Sequence, residues 1–241
     1  RKESSAASDV YKRQEWLLIF IKKTFPSIIF TKKTMKHFSK EAIGAMPSIY
    51  RLNMINSCTG YKSANLIGTQ SKEGNTNLAV FNSVVHLGSN PPLIGFIIRP
   101  TTVPRHTHQN IKDTGFFTVN NIHYSQIEDA HHTSAKYPED VSEFSQTDLE
   151  EEYKENIGAP FVKNAPLQLG CTYVNEYHIK ENDTLMLVGQ VEHIFMEDEM
   201  LLEDGWVQLD KGGVVAINGL DGYALPKLLE RYPYARPKTQ E

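Results

Sequence analysis

Nine residues, 99–107 (RPTTVPRHT), hold two arginines, three threonines and two prolines between an apolar run and a short helical pattern. Arginine offers a planar fork to phosphate oxygens, and a helix N-terminus adds roughly half a positive charge. Thr107 stands where an N-cap belongs, ahead of a helix expected over 108–112. Arg99, Arg105, Thr107 and the N–H groups of His108 and Gln109 therefore suit an anion, most simply a phosphate. The plainer alternative is a capping threonine worth about 1 kcal/mol beside two solvated arginines. A second polar interruption lies upstream in FNSVV, residues 81–85. Asn82 and Ser83 break a strand that otherwise wants apolar residues, so they must find partners. Those are either neighbouring backbone or the carbonyls and ring nitrogens of a planar ligand.

Other chemistry is weaker. His106 and His108 flank the threonine at a spacing poor for helical metal ligands, and His123, His131 and His132 have no cysteine cluster beside them. Surface or supporting roles are favoured over a metal site. His193 sits among apolar neighbours and reads as a core or interface histidine, and Tyr223 as a half-buried packing residue. No Ser-His-Asp set or carboxylate pair stands out.

The elements that must position these groups follow from periodicity and punctuation. A short helix is expected over about 40–46 behind Ser39, and a strand over 50–55 from its alternation. Residues 63–70 and 77–87 read as strands joined by SKEGN, with Gly74 available for the turn. Pro91 and Pro92 stop pairing, and the wholly apolar 93–98 is expected to be buried on both faces. Gly115 ends the short helix in the left-handed conformation, and 116–121 is again a strand. Residues 125–156 form an acidic, largely helical excursion. Residues 171–179, 184–196 and 205–210 restore the strand pattern. Short strands with turn signals and few helices fit an antiparallel Greek-key barrel. No G-x-G-x-x-G opens a helix, which argues against a Rossmann dinucleotide domain.

Composition narrows the classes. With 241 residues, 40% of them hydrophobic, and a formal charge of -4, the chain suits one large domain and not a dedicated nucleic-acid binder. No apolar run approaches the ~20 residues needed to span a bilayer. Cys58 and Cys171 lie in no paired motif and read as reduced thiols of a cytoplasmic protein. Residues 1–34 lack the pattern of the rest and read as a non-native or disordered leader, with Met35 a credible start.

The ordered set LIGT, a G-N-x-N turn, FNSVVHLGSNPPLIGFIIRP, a basic residue–His–Thr–x–x–Asn–Ile and TGFFTVN resembles the flavin reductase-like family. The likeness continues through APFVKNAPLQLGCTYVNEYHI and LMLVGQVEHIFMEDEMLLEDGWV, covering most of 35–223. It implies an FMN-binding split β-barrel over 35–241, with the acidic excursion flanking the cleft. It also implies that Asn82, Ser83 and Val84 contact the isoalloxazine and ribityl chain, and that Arg99, Arg105 and Thr107 receive the FMN phosphate. Asn82, Ser83 and Asn120 become candidate donors to the N1/O2 edge of the flavin. Asn or Ser stands where the family has Ser or Thr in the first segment, Asn90 replaces an aspartate before the double proline, and His106 replaces an acid before the threonine. The implied activity is hydride transfer from NAD(P)H to flavin by a homodimer, with reduced flavin passed to a monooxygenase. Two alternatives share the same FMN residues: a non-catalytic FMN-binding or electron-transfer protein, and a split-barrel reductase or oxidase acting on another small molecule.

Overall fold

In the computed structural model the described residues are 34–237. The expected leader, Thr34 apart, lies outside them. The chain divides into two units, Arg1–Pro47 and Ser48–Glu241. The described part of the first holds the helix Lys40–Gly44, whose N-cap Ser39 accepts a hydrogen bond from the Ala42 N–H at 3.2 Å, as its sequence anticipates.

The second unit opens with the helix Ser48–Cys58, where a strand was expected over 50–55. The alternation there is not a burial signal: no residue of this helix is buried. Leu, Met and Arg favour a helix, and there is no β-branched run to oppose one. Asn56 and Ser57 bond back to the carbonyls of Leu52 and Asn53.

Twelve strands follow among the described residues: β1 (Lys62–Ser63), β2 (Asn65–Gln70), β3 (Thr76–Phe81), β4 (Val85–Ser89), β5 (Pro92–Ile98), β6 (Phe116–Asn121), β7 (Glu151–Glu152), β8 (Phe161–Val162), β9 (Leu167–Ile179), β10 (Thr184–Met196), β11 (Ala216–Asn218) and β12 (Gly222–Ala224). Seven form one antiparallel sheet in the order β3-β2-β6-β9-β10-β5-β4. Its two edge strands are joined by only Asn82, Ser83 and Val84. Laid flat, seven strands would hold their edges about 29 Å apart. Four residue steps reach at most about 14 Å. The sheet must therefore curl on itself, and this short link is its seam. Gly74 and Gly115 take the positive φ expected of them, at 93° and 79°.

Several boundaries differ from the sequence reading. The single strand expected over 77–87 is two strands, split at the seam. Pro92 opens β5 opposite Ser89, so the double proline turns the chain into a hairpin instead of ending the pairing; a first strand position tolerates proline. Within β5, Ile94, Phe96 and Ile98 are buried, while Leu93 and Ile97 are partly exposed. The acidic excursion is less helical than expected. It holds the helix Ile127–His132 and two short 3-10 turns, and the acidic run ends as β7 paired with β8. Residues 205–210 form no strand. Asp204 and Gly205 turn the chain, leaving one bridge between Leu201 and Val207.

The core fills the curl. Phe96 stacks edge-on against Phe81 and Phe117, with centroids 5.2 and 5.5 Å apart, among Ile67, Ile111 and Leu187. A second cluster, around Leu66, Leu78, Ile122 and Val215, packs the small sheet β1-β11-β12 against the barrel.

Candidate flavin site

The seam is stitched from three directions. The register of β4 on β5 places Ser83 opposite Ile97, two residues beyond the last paired residues, Val85 and Gly95. There the Ser83 Oγ accepts the Ile97 N–H at 3.0 Å, standing in for a main-chain carbonyl. The Val84 carbonyl accepts the Ser63 hydroxyl at 3.1 Å, and Asn82 Nδ2 donates to the Gly219 carbonyl at 2.9 Å. Side chains thus do the work of a ladder, and the main chain is left over. Among the described residues, the N–H groups of Ser83 and Val84 have no hydrogen-bond acceptor. A partly buried pair of free donors is costly unless something accepts from them. The Ser83 hydroxyl hydrogen and the other N–H of Asn82 are also uncommitted.

Past the end of β5, the chain enters the loop that carries Arg99 and Arg105. Arg99 is exposed, and among the described residues its guanidinium meets no acceptor. Arg105 is half-buried and donates through Nε to the Pro100 carbonyl at 3.2 Å, which ties the loop across its own base and leaves both Nη groups free. The helix behind it is His106–Thr114, starting two residues earlier and ending two later than expected. Its first i to i−4 bond runs from Gln109 to Arg105, so the N–H groups of His106, Thr107 and His108 open it. Gln109, expected as an open donor, is used inside the helix.

Thr107 is not the cap; Arg105 holds that position without a side-chain bond. Thr107 is buried instead, its hydroxyl accepting from Asn77 Nδ2 at 3.0 Å. Asn77 and Asn110 both reach Thr69 Oγ1 as well, so four buried polar side chains satisfy one another and pin the helix start to β2 and β3. A cavity of about 180 Å³ lies at this helix start, lined by Thr101, Arg105, His106, His108, Gln109 and Glu139. His108 Nε2 donates to Glu176 on β9 at 2.7 Å, and Lys112 donates to the same carboxylate at 3.2 Å. Burial pushes the Glu176 carboxyl up, but the bonds from His108 and Lys112 outweigh it and hold it below the ordinary range.

Asn120 is brought elsewhere. It is fully buried, its Nδ2 donates to the Leu66 carbonyl and to Thr118 Oγ1, and its Oδ1 accepts the Val162 N–H at 3.0 Å. Those bonds fasten β8 to the barrel and occupy its amide. The other histidines also have partners: His123 with Ser125, His131 with Tyr223, His132 with Tyr137. His193 lies half-buried against the Phe195 ring.

Sequence reasoning missed the Thr69–Asn77–Asn110 cluster and Glu176. The asparagine in the G-N-T-N turn, a polar residue inside a strand, carried a signal for the first. Nothing local announces Glu176, whose role depends on how β9 packs on the helix.

The flavin reductase-like domain profile matches residues 61–209. The chain belongs to the flavin reductase-like family. It is similar to a split-barrel protein from Shewanella frigidimarina, classed as a flavin reductase, at 46% identity and a TM-score of 0.81, over 83% of this chain and all of the other. It shares its fold, at 20% identity, with nitrilotriacetate monooxygenase component B from Bacillus cereus, with a TM-score of 0.71 over 84% of this chain and all of that one. An uncharacterised protein of Halalkalibacterium halodurans is 27% identical over 73% of this chain and 85% of its own length. The mainly β, split-barrel architecture expected from the sequence is therefore the fold of this family member.

Proposed function

We propose that this member of the family binds FMN between the seam and the arginine loop and catalyses hydride transfer from NAD(P)H to flavin. The observation that carries the reading is the union of two incomplete halves. One is a seam with free main-chain donors suited to a planar ring edged with acceptors. The other, just past the end of β5 that Ser83 binds, is a cationic loop and helix start suited to a phosphate. FMN has both features in one molecule, and it supplies the hydride-accepting ring when bound. Ser83 and Val84 would present N–H donors to the ring edge, Asn82 would hold the ribityl side, and Arg105 with Arg99 would neutralise the phosphate. Thr107 serves through the buried cluster that sets the helix start, and Asn120 through the strand beneath. The protein's share of the work is to fix the reacting partners in contact and exclude water. No acid or base needs to move a proton at the seam.

A homodimer and a partner monooxygenase remain part of this reading. The latter is supported by the fold shared with a protein named as a monooxygenase component. Placement in the cytoplasm belongs to it as well; among the described residues, no helix is long and apolar enough to cross a membrane.

Anaerobic titration of FMN-loaded protein with NADH and NADPH, followed by flavin absorbance, tests the reading. Bleaching by either donor is expected. A protein that takes up FMN but stays oxidised with both is a binding or electron-transfer module, and one that takes up no FMN has a different ligand.

A further inference from the structure

Against the seam, where Asn82 binds Gly219, lies a second cavity, of about 370 Å³, within the range of small-molecule sites. Asn82 links the two, because the Gly219 carbonyl it binds belongs to this cavity's wall. The wall is made by the loop between β11 and β12, residues 219–221, and by one face of the helix Ser48–Cys58. Its aromatic members are Tyr61 and Tyr223, its amides Asn53 and Asn218, and its one charged member Asp221. Among the described residues, no arginine, lysine or histidine lines it.

Three features mark it as built to receive something. Tyr61 is 68% exposed, leaving a ring face open to stack on. Among the described residues, the Asn53 amide, the Tyr61 hydroxyl and the Asp221 carboxylate have no hydrogen-bond partner, so their bonding capacity is free. Asn218 carries a buried Oδ1 with no donor, so the wall is polar-unsatisfied on its inner side as well. The sign of the field is equally clear. Asp221 is the charged group on the described wall, and burial, with that charge adding to it, pushes the Tyr223 phenol up to about 12.

We propose that this cavity binds a planar, uncharged aromatic ring bearing an amide or similar donor, beside the flavin-holding seam, and that Asp221 excludes the same ring when it carries a carboxylate. The placement beside a flavin rests on the functional reading above; the ring site itself does not. It makes the arginine-loop cavity and this one opposites: the first draws anions, the second turns them away. The molecule exchanging electrons with the flavin would thus be selected by charge at its ring end.

Benzamide and benzoate form a matched, redox-inert pair of probes, differing only in the charged group. Their binding to FMN-loaded protein is measured by ligand-observed NMR, with FMN affinity determined separately for every variant. The wild-type protein is expected to prefer benzamide by about fivefold, the scale of one like-charge contact near a wet surface. Asp221→Asn should reduce that preference below about twofold, while Tyr61→Ala should weaken both probes by roughly fivefold through the lost ring contact. Both residues are exposed, so neither change should disturb folding. Equal affinity for the two probes in the wild type, an unchanged preference in Asp221→Asn, or no effect of Tyr61→Ala would each overturn the proposal. If the preference and its loss appear in a protein that takes up no FMN, the ring site stands and the flavin reading falls.

Discussion

Replacing Arg105 by alanine offers a quantitative handle on the loop. Its Nε is committed to the Pro100 carbonyl, so only the two Nη groups can face a phosphate. A hydrogen bond to a charged group is worth about 1.5–3 kcal/mol, and two such bonds from one partly exposed fork come to about 3 kcal/mol. At 1.4 kcal/mol per decade, FMN should bind roughly a hundredfold more weakly to Arg105→Ala. Riboflavin has the same ring and ribityl chain but no phosphate, and its affinity should change by less than about threefold. Arg105→Lys keeps the charge but loses the fork, and should fall between, at about tenfold. Flavin fluorescence quenching at fixed ionic strength gives all six affinities. The reasoning fails if FMN and riboflavin weaken equally, since Arg105 would then matter only as the brace across its loop.

Three further outcomes follow from packing and burial. A Cβ at Gly189 on β10 would overlap the Phe117 ring, so Gly189→Ala should cost about 1–3 kcal/mol in urea unfolding. Native protein should titrate one thiol per chain with a disulfide reagent and two in denaturant, because Cys58 is exposed while burial pushes the Cys171 thiol up. Burial pushes the Glu143 carboxyl above its ordinary range, against the pull of the Leu78 N–H and nearby His106. With the folded value raised, stability present below the ordinary glutamate range is lost as pH rises through that folded value. Glu143→Gln keeps an oxygen for the Leu78 N–H at 2.8 Å, so its Tm should gain on wild type between pH 4 and neutrality, and a constant gap would refute the linkage.

The long strands of the barrel were legible because period-two patterning and glycine punctuation act locally: β2, β6 and the β9–β10 hairpin lie close to where residue types put them. The errors fall where a partner outside the segment decides. Thr107 looks like a cap, yet Asn77, thirty residues upstream, draws its hydroxyl inward. Alternation over 50–55 suggests a strand, but no sheet edge is there to use it. Asn120 looked like a ligand donor because it is polar within a strand; Val162 and Leu66 take its amide instead. Asn82 and Ser83 were singled out for needing partners, and the identity of those partners, Gly219 and Ile97, became visible only once the sheet was closed.

The bond from Asn82 to Gly219 spans 137 positions of chain. Closing a loop of that length carries an entropic cost of about 4 kcal/mol beyond a constant, far more than one hydrogen bond returns. It can form only after the intervening strands have paired and brought its ends together. During synthesis, the Asn82 side of the seam is incomplete until the ribosome has passed residue 219. A nascent chain therefore has no finished seam until Gly219 has been made and the strands before it have paired.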